Sequence, residues 1–317
     1  MRAHSRAYVP PISRAGAPPG ARLGLAVVVV GVLVGVVALA LAAGPAGAQG
    51  SILDDTQDAY RATSRGWLGP VSEIARRLFV SLAALEIGIS GALYALRRDA
   101  LDEVAAKFLL KFIVLSVVLM LITSAGYWLP PIVNGFARAG QAGSGGAIAV
   151  GPSGIIDLGL NIALYKIDTT GLPLSLASLE TSLYALCARL VILGSFILVA
   201  VVVLLTWVEA YVALAGGVLF LGLGGFRATA QYAENYLGFL VYIGARLFLL
   251  YLLLGIGVTL IAEQIGAMPP AMSPEQMGEL LAQSVTFAAV TTSVPRSMAA
   301  RVAGTANFGI AQALRRL

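Results

Sequence analysis

The sequence has little of what catalytic and metal sites are commonly built from. Its 317 residues include one cysteine, Cys187, and one histidine, His4. A single cysteine excludes an intrachain disulfide and a cysteine-based metal site. The single histidine stands close to the N-terminus and leaves no histidine cluster for catalysis or metal binding. We therefore expect no catalytic residues, no metal and no cofactor.

Charge is also scarce. Charged residues make up 12% of the chain, against about 25% in an ordinary soluble domain, while 58% of the residues are hydrophobic. The mean hydropathy is +0.87. This composition predicts an all-α, polytopic membrane protein.

The net charge of +5 belongs mainly to the N-terminal segment and does not indicate a nucleic-acid surface. Residues 1–48 contain four arginines and no acidic residue. The rest of the chain has 17 basic and 16 acidic residues, which nearly cancel.

Residues 1–48 have the three parts of a secretory signal peptide. A basic stretch precedes the apolar run 23–43, and Ala46 and Ala48 follow with the spacing of a cleavage site. We predict cleavage after Ala48. An uncleaved membrane anchor is the alternative, because about 20 apolar residues are enough to span a bilayer.

Five apolar runs predict the transmembrane helices of the mature chain. A first segment, 49–131, begins with a periplasmic surface helix and contains two spans, at 78–96 and 108–129, the second ended by Pro130 and Pro131. A Gly-rich central periplasmic loop follows at 132–182. Residues 183–294 hold the last three spans, at 183–205, 236–262 and, more weakly, 280–294, and 295–317 form a basic tail.

The distribution of basic residues predicts the orientation of these spans. The 97–111 loop has four basic residues and the tail has four arginines, whereas 263–279 has three glutamates and no basic residue. We expect a periplasmic N-terminus and a cytoplasmic C-terminus. The apolar piece 208–225 then cannot cross, and is predicted to be a re-entrant or interfacial hairpin on the cytoplasmic side. A crossing at 208–225 would instead leave the C-terminal arginines in the periplasm.

The Gly-rich stretch 216–236 raises the question of a phosphate-binding loop. It lacks the Gly-Lys-Ser/Thr ending of the P-loop and the third glycine of the dinucleotide fingerprint. Glycines at membrane depth also permit a turn and a close approach of two backbones. We therefore assign Gly222, Gly224 and Gly225 to backbone turning and packing.

Two charged residues stand near the centres of predicted spans. These are Glu86 in the first span and Arg246 in the 236–262 span. Because such charges normally find a partner, we hypothesise a Glu86–Arg246 contact. Arg189 is a rival partner for Glu86, and a wet crevice or a neighbouring subunit remains an alternative for each charge. Glu209 is interpreted as a marker of the cytoplasmic interface.

Small residues repeat every four positions on the first span, at Ala84, Gly88 and Ala92. Faces of this kind pack closely against other transmembrane helices. Glu86 points away from this face, so we expect two different neighbours for the first span. A complex of several subunits and a monomeric bundle both satisfy this expectation.

The stretch 216–257 resembles the most distinctive region of the TrbL family, the polytopic inner-membrane subunit of conjugative type IV secretion systems. The resemblance rests on Gly224-Gly225-Phe226, on Tyr232 with Asn235-Tyr236, and on Arg246. A second, weaker match is the Pro152, Ser153 and Gly159 segment of the central loop.

The resemblance implies a structural channel or platform subunit in the inner membrane of a Gram-negative bacterium, without enzymatic turnover. It implies a homo-oligomeric ring that supports pilus biogenesis and transfer of a DNA–protein substrate. The implied partners are membrane lipid, the transferred DNA in transient contact, and the pilin, stalk, bitopic and ATPase subunits. A secondary transporter is the alternative, although the two halves of the chain show no inverted repeat.

Overall fold

The computed structural model describes residues 47–97, 101–144, 151–164, 176–267 and 273–303, and every element in these ranges is helical. In chain order the helices are α1 Gly47–Arg97, α2 Leu101–Thr123, α3 Ala125–Gly143, α4 Pro152–Ala163, α5 Leu176–Gly216, α6 Val218–Gly222, α7 Ala230–Gly266 and α8 Pro274–Ala303. A 3-10 turn, Leu223–Gly225, follows α6.

Four helical segments in the described ranges are long and apolar enough to cross a membrane. They are Ile52–Leu96, Glu103–Thr123, Ser182–Gly225 and Ala230–Gly266. The predicted all-α, polytopic membrane fold is confirmed. The weak fifth span predicted at 280–294 lies within α8 but is not among these four, so it stays a prediction.

The first helix is longer than the sequence predicts. The expected surface helix and the expected span at 78–96 are one continuous helix, α1, of 51 residues with Pro70 inside it. At about 1.5 Å per residue α1 is roughly 76 Å long, more than twice the roughly 30 Å hydrocarbon core of a bilayer. A large part of α1 therefore extends beyond the hydrocarbon core.

The helical structure is interrupted at Ser124, between α2 and α3. This interruption lies six residues before Pro130, the first of the two adjacent prolines. The carbonyl of Met120 accepts the Ser124 hydroxyl at 2.6 Å, and the carbonyl of Leu121 accepts the Trp128 indole N–H at 2.9 Å. The Trp128 side chain thus satisfies a carbonyl that the interrupted helix would leave free, while the Met120 carbonyl also accepts the Ser124 backbone N–H at 3.0 Å. The prediction that Pro130 and Pro131 end the second span is wrong, since both lie inside α3.

The predicted central loop, 132–182, is largely helical where the structure describes it. It contains the end of α3, the whole of α4 and the first residues of α5. Helix α4 buries Ile155 and Ile162 and packs against α1 and α5. In its described parts, the predicted loop therefore consists of helices that pack against the rest of the molecule.

Helices α5 and α7 form the centre of the molecule. The largest fully buried side chains on these two helices include Phe196 and Ile192 on α5 and Leu247 and Leu250 on α7. Helix α8 packs against both, α3 packs along α7, and α1 packs along α5 and α6. The last 20 residues of α1 and the first 15 of α2 carry many exposed apolar side chains, as lipid or another subunit would require.

The hairpin predicted at 208–225 has a different form in the structure. Residues 208–216 continue α5 without a break, and the chain reverses only after Gly225, before α7 begins at Ala230. The side chain of Gln57, in the segment predicted to be periplasmic, also donates to the hydroxyl of Tyr211 at 3.4 Å. Because Tyr211 is predicted to be cytoplasmic, the two placements are incompatible and at least one is wrong.

Several predictions fall outside the described residues. The leader up to residue 46, with Ala46 of the predicted cleavage site, is among them, as is the tail from residue 304. Ala48 lies in the first turn of α1. Signal cleavage, the segment boundaries and the sides on which the termini lie stay predictions.

Candidate functional site: a glycine turn and two ion-pair clusters

The glycine turn, residues 217–229, packs against the backbone of α1. A Cβ atom on Gly222 would lie 2.6 Å from the carbonyl oxygen of Ala75, and one on Gly225 would lie 2.6 Å from that of Phe79. Backbone atoms on α1 cannot move aside as a side chain can, so only glycine fits at these two positions. Gly224 is less restricted, because its nearest neighbours are the side chains of Val118 and Ala233. Gly222 and Gly225 thus lie directly against the α1 backbone, and their functional role stays a prediction.

Tyr236 connects the two sides of the turn. Its ring lies over Gly217, where a Cβ atom would overlap it, and its hydroxyl donates to the carbonyl of Ala213 at 3.1 Å. The phenol is 4% exposed. It fixes the beginning of α7 against the end of α5, which gives a structural reason for a tyrosine at this position.

The other residues that carry the family resemblance in this region have different surroundings. The carbonyl of Phe226 accepts the backbone N–H groups of Thr229 and Ala230 and thereby begins α7. Tyr232 and Asn235 are exposed and lie outside the packed turn. Gly222, Gly225 and Tyr236 thus belong to the packed turn, whereas the two exposed side chains lie on the surface.

The Glu86 cluster is a buried charge network beside the turn, made by Glu86, Ser90, Lys111 and Arg227. The Lys111 ammonium lies 2.8 Å from Glu86 Oε1 and donates to the Ser90 hydroxyl at 2.6 Å. Glu86 Oε2 accepts the backbone N–H of Arg227 at 3.2 Å, and the Arg227 guanidinium lies 3.8 Å from the same oxygen. Glu86 is fully buried and Lys111 is 2% exposed.

The Glu86 cluster connects three parts of the chain. Glu86 and Ser90 stand on α1, Lys111 on α2 and Arg227 in the glycine turn. A buried ion pair recovers its desolvation cost only when further hydrogen bonds satisfy the remaining atoms. Here both carboxylate oxygens have polar partners, so the cluster fixes the position of the turn relative to the α1–α2 hairpin.

Arg246 has a different partner from the one the sequence suggests. Its guanidinium lies 2.5 Å from Glu209 Oε2, an ion pair between α7 and α5. The hypothesised Glu86–Arg246 contact is therefore wrong, because Glu86 pairs with Lys111 and Arg246 pairs with Glu209. Glu209, interpreted as an interface marker, is the acidic residue that neutralises Arg246.

Trp207 and Tyr211 stand two residues before and after Glu209 on α5, so aromatic side chains lie at the level of this second cluster, the Arg246 pair. Trp207 donates its indole N–H to the hydroxyl of Tyr251 at 2.9 Å, across the same two helices. The rings of Trp207 and Tyr211 stack with centroids 5.5 Å apart. Tryptophan and tyrosine with paired polar ends are typical of a membrane–water interface.

The two clusters lie at different levels of the molecule. Tyr211, beside the Arg246 pair, contacts Gln57, which is 29 residues from Glu86 on α1. At about 1.5 Å per residue, Gln57 and Glu86 are roughly 43 Å apart along α1. A second estimate follows α7 from Ala230, next to the turn that holds Arg227 of the Glu86 cluster, to Arg246, and it gives a separation of roughly 24 Å. Charges this far apart cannot both lie at the midplane of one bilayer, as the sequence predicts for Glu86 and Arg246.

The small-residue face of α1 is exposed among the residues that the structure describes. Ala84, Gly88 and Ala92 are exposed, and a Cβ atom on Gly88 would meet nothing within 4 Å. Glu86 points the opposite way, into the cluster, as the helical spacing predicts. The role of this face in helix packing stays a prediction.

Asp54 makes a contact with Ser153 that the sequence did not suggest. Its carboxylate accepts both the hydroxyl and the backbone N–H of Ser153 at the beginning of α4. An acidic side chain at a helix N-terminus satisfies a free N–H and interacts favourably with the helix dipole. Farther along α4, Gly159 lies against the ring of Phe196 on α5. The segment 151–163 is thus anchored on both α1 and α5.

The fold and these clusters define a polytopic α-helical membrane protein in which buried ion pairs fix the helices. Residues 83–294, about two thirds of the chain, match the family described as "TrbL/VirB6 plasmid conjugal transfer protein". The chain belongs to this TrbL/VirB6 family, and it is a membrane protein with a role in conjugative transfer.

The names of two relatives agree with this family assignment. The chain is 28% identical over 301 residues to "Conjugal transfer protein TrbL" of Rhizobium radiobacter, with 94% of this chain and 73% of the relative covered. It is 27% identical over 237 residues to "Probable conjugal transfer protein TrbL" of Sinorhizobium fredii (strain NBRC 101917 / NGR234), with 74% and 58% covered. The family is a component of transfer systems and is not a known enzyme family.

Proposed function

We propose that the chain is a structural channel or platform subunit in the inner-membrane complex of a conjugative type IV secretion system. In this role it supports pilus biogenesis and passage of the DNA–protein substrate. It assembles as a homo-oligomeric ring with pilin, stalk and bitopic subunits, while separate ATPase chains supply the energy. The observation that carries the proposal is a rigid helical frame that leaves the small-residue face of α1 open.

The frame and the open face have complementary roles. The Glu86 cluster fixes α1, α2 and the turn through contacts inside one chain. On the opposite side of α1, Gly88 has open space around it, and the neighbouring Leu85 is about half exposed. An exposed face of small residues suits contact with another transmembrane helix, since it allows two backbones to approach closely.

Substitution of Gly88 tests this proposal. We expect Gly88→Leu to leave the chain in the membrane but to prevent ring assembly, because its larger side chain keeps a neighbouring helix away. The variant replaces the wild-type chain in conjugating cells, and transfer frequency, pilus number and oligomer size in mild detergent are measured. Gly66→Leu is the matched control, because Gly66 also lies on α1 and has nothing within 4 Å of a Cβ atom.

The outcomes separate the proposal from its alternatives. Loss of the ring and at least a tenfold drop in transfer with Gly88→Leu, and neither with Gly66→Leu, support it. Wild-type assembly and transfer with Gly88→Leu contradict the packing role of this face. Uptake of a small solute by the purified chain in liposomes would favour a transporter instead.

A further inference from the structure

A groove between α1, α3 and α5 has the chemistry of a binding site for an anionic lipid headgroup. It is an open groove, and the space in it is about 420 Å³ when the solvent-filled mouth is included. Its polar lining includes Arg61 and Arg65, one helical turn apart on α1, with Asn134 and Tyr211. Its apolar lining consists of Leu68, Pro130, Leu214 and Ala215.

Neither the Arg61 nor the Arg65 guanidinium forms an ion pair in the described part of the chain, although the acidic Asp58 stands nearby, three residues before Arg61. Like charges four residues apart on a helix destabilise it. On the same helix, by contrast, Arg76 and Arg77 both bind Glu73 at 2.9 Å. An anion in the groove would supply a counter-charge to Arg61 and Arg65.

Further donors line the same groove. The Tyr211 hydroxyl accepts a hydrogen bond from Gln57, so its own proton remains available for a ligand. The amide of Asn134 provides a second neutral donor. Ser64 adds none, since its hydroxyl donates to the Arg61 carbonyl at 3.1 Å. Two guanidinium groups and two neutral donors match the several oxygen acceptors of a phosphate group.

The apolar lining and the neighbouring aromatics decide the class of ligand. A free phosphate or a DNA strand gains nothing from Leu68, Leu214 and Pro130, whereas acyl chains continue along such a surface. Tyr60 and Trp67, on the same part of α1, are 47% and 46% exposed, as residues at a membrane interface are. We propose that the groove holds the headgroup of an anionic phospholipid, with Arg61 and Arg65 bound to its phosphate.

Lipid competition on the purified full-length chain tests this site. A fluorescent phosphatidylglycerol is bound in neutral detergent and displaced by unlabelled phosphatidylglycerol, phosphatidylcholine, inorganic phosphate or a single-stranded oligonucleotide. We expect Arg61→Gln with Arg65→Gln to weaken phosphatidylglycerol binding about 25-fold, from about fivefold for each arginine. The control is Arg76→Gln with Arg77→Gln, which removes the same charge from the same helix. Circular dichroism verifies that both variants are folded.

Each result decides for or against the proposal. Preference for phosphatidylglycerol over phosphatidylcholine, lost in the Arg61/Arg65 variant and kept in the control, supports it. Equal loss in the two variants, or no lipid preference in the wild type, overturns it. Displacement by inorganic phosphate or by the oligonucleotide at concentrations as low as those of the lipid also overturns it, and would identify a phosphate or nucleic-acid site.

Discussion

The Glu86 cluster and the Arg246 pair each neutralise a charge between helices, yet their surroundings differ. Glu86 and Lys111 are almost completely buried and share hydrogen bonds with Ser90 and the glycine turn. In the Arg246 pair the guanidinium is buried, but the side chain of Glu209 is 36% exposed. Loss of Lys111 therefore leaves a fully buried Glu86 carboxylate, whereas loss of Arg246 leaves a Glu209 carboxylate that is partly solvated.

This difference indicates separate roles. The Glu86 cluster connects three chain segments through buried charges, and it fixes the turn whose glycines touch the α1 backbone. The Arg246 pair is one of several contacts between α5 and α7, which are also joined by the Trp207–Tyr251 hydrogen bond and by apolar packing. We expect the first cluster to be the less tolerant of substitution.

The largest expected effect follows the loss of one charge from the Glu86 cluster. Lys111→Met removes the cation and leaves the buried Glu86 carboxylate with the turn as its only ionic partner, which costs about 3–5 kcal/mol. Thermal unfolding in detergent measures the loss, and membrane levels in cells should fall with it. Lys107→Met is the control, because Lys107 is more exposed and lies on the same helix. Equal stability of the two variants would contradict the structural role of Lys111.

A smaller effect is expected in the glycine turn. Gly225→Ala places a methyl group against the Phe79 carbonyl and should cost about 1–3 kcal/mol, since the backbone of α1 must move. Gly238→Ala is the matched control. It lies in α7 with open space around it, and alanine there should stabilise the helix by about 0.5–1 kcal/mol. If the two variants unfold at the same temperature, α1 and the turn do not pack as described.

The smallest expected effect concerns the Arg246 pair. Glu209→Gln removes the charge but keeps a hydrogen-bonding oxygen near the guanidinium, so we expect a loss of about 1 kcal/mol, as for one partly exposed ionic hydrogen bond. Thermal unfolding again provides the measurement. A loss as large as that of Lys111→Met would remove the distinction between the two clusters.

The membrane class, the all-α fold and the close packing of Gly222 and Gly225 follow from composition and local pattern. The partners in the two ion pairs are indicated by a different feature of the sequence. This feature is the number of residues between each charged residue and the place where the chain reverses. Glu86 lies 11 residues before Arg97, the last residue of α1, and Lys111 lies 10 residues after Leu101, the first residue of α2. Glu209 and Arg246 lie 19 residues before and 18 after position 228. Residues equally far from a turn face each other in an antiparallel hairpin, which identifies both pairs.

Other features depend on contacts that the sequence does not display. The continuity of α1 through Pro70 and of α3 through Pro130 and Pro131 contradicts the local rule that proline ends a helix. Tertiary packing overrides that rule here, since both helices lie against neighbours along these regions. The contact of Asp54 with Ser153 joins residues 99 positions apart, which no local pattern reveals.

The central claim, that Glu86 is paired with Lys111 and not with Arg246, is tested most directly by two double-mutant cycles. Glu86→Gln is combined with Lys111→Met in one cycle and with Arg246→Met in the other, and unfolding of all variants is measured in the same detergent. We predict a coupling of at least about 2 kcal/mol in the first cycle and additivity within about 0.5 kcal/mol in the second. Coupling between positions 86 and 246, with none between 86 and 111, would contradict the structure described here.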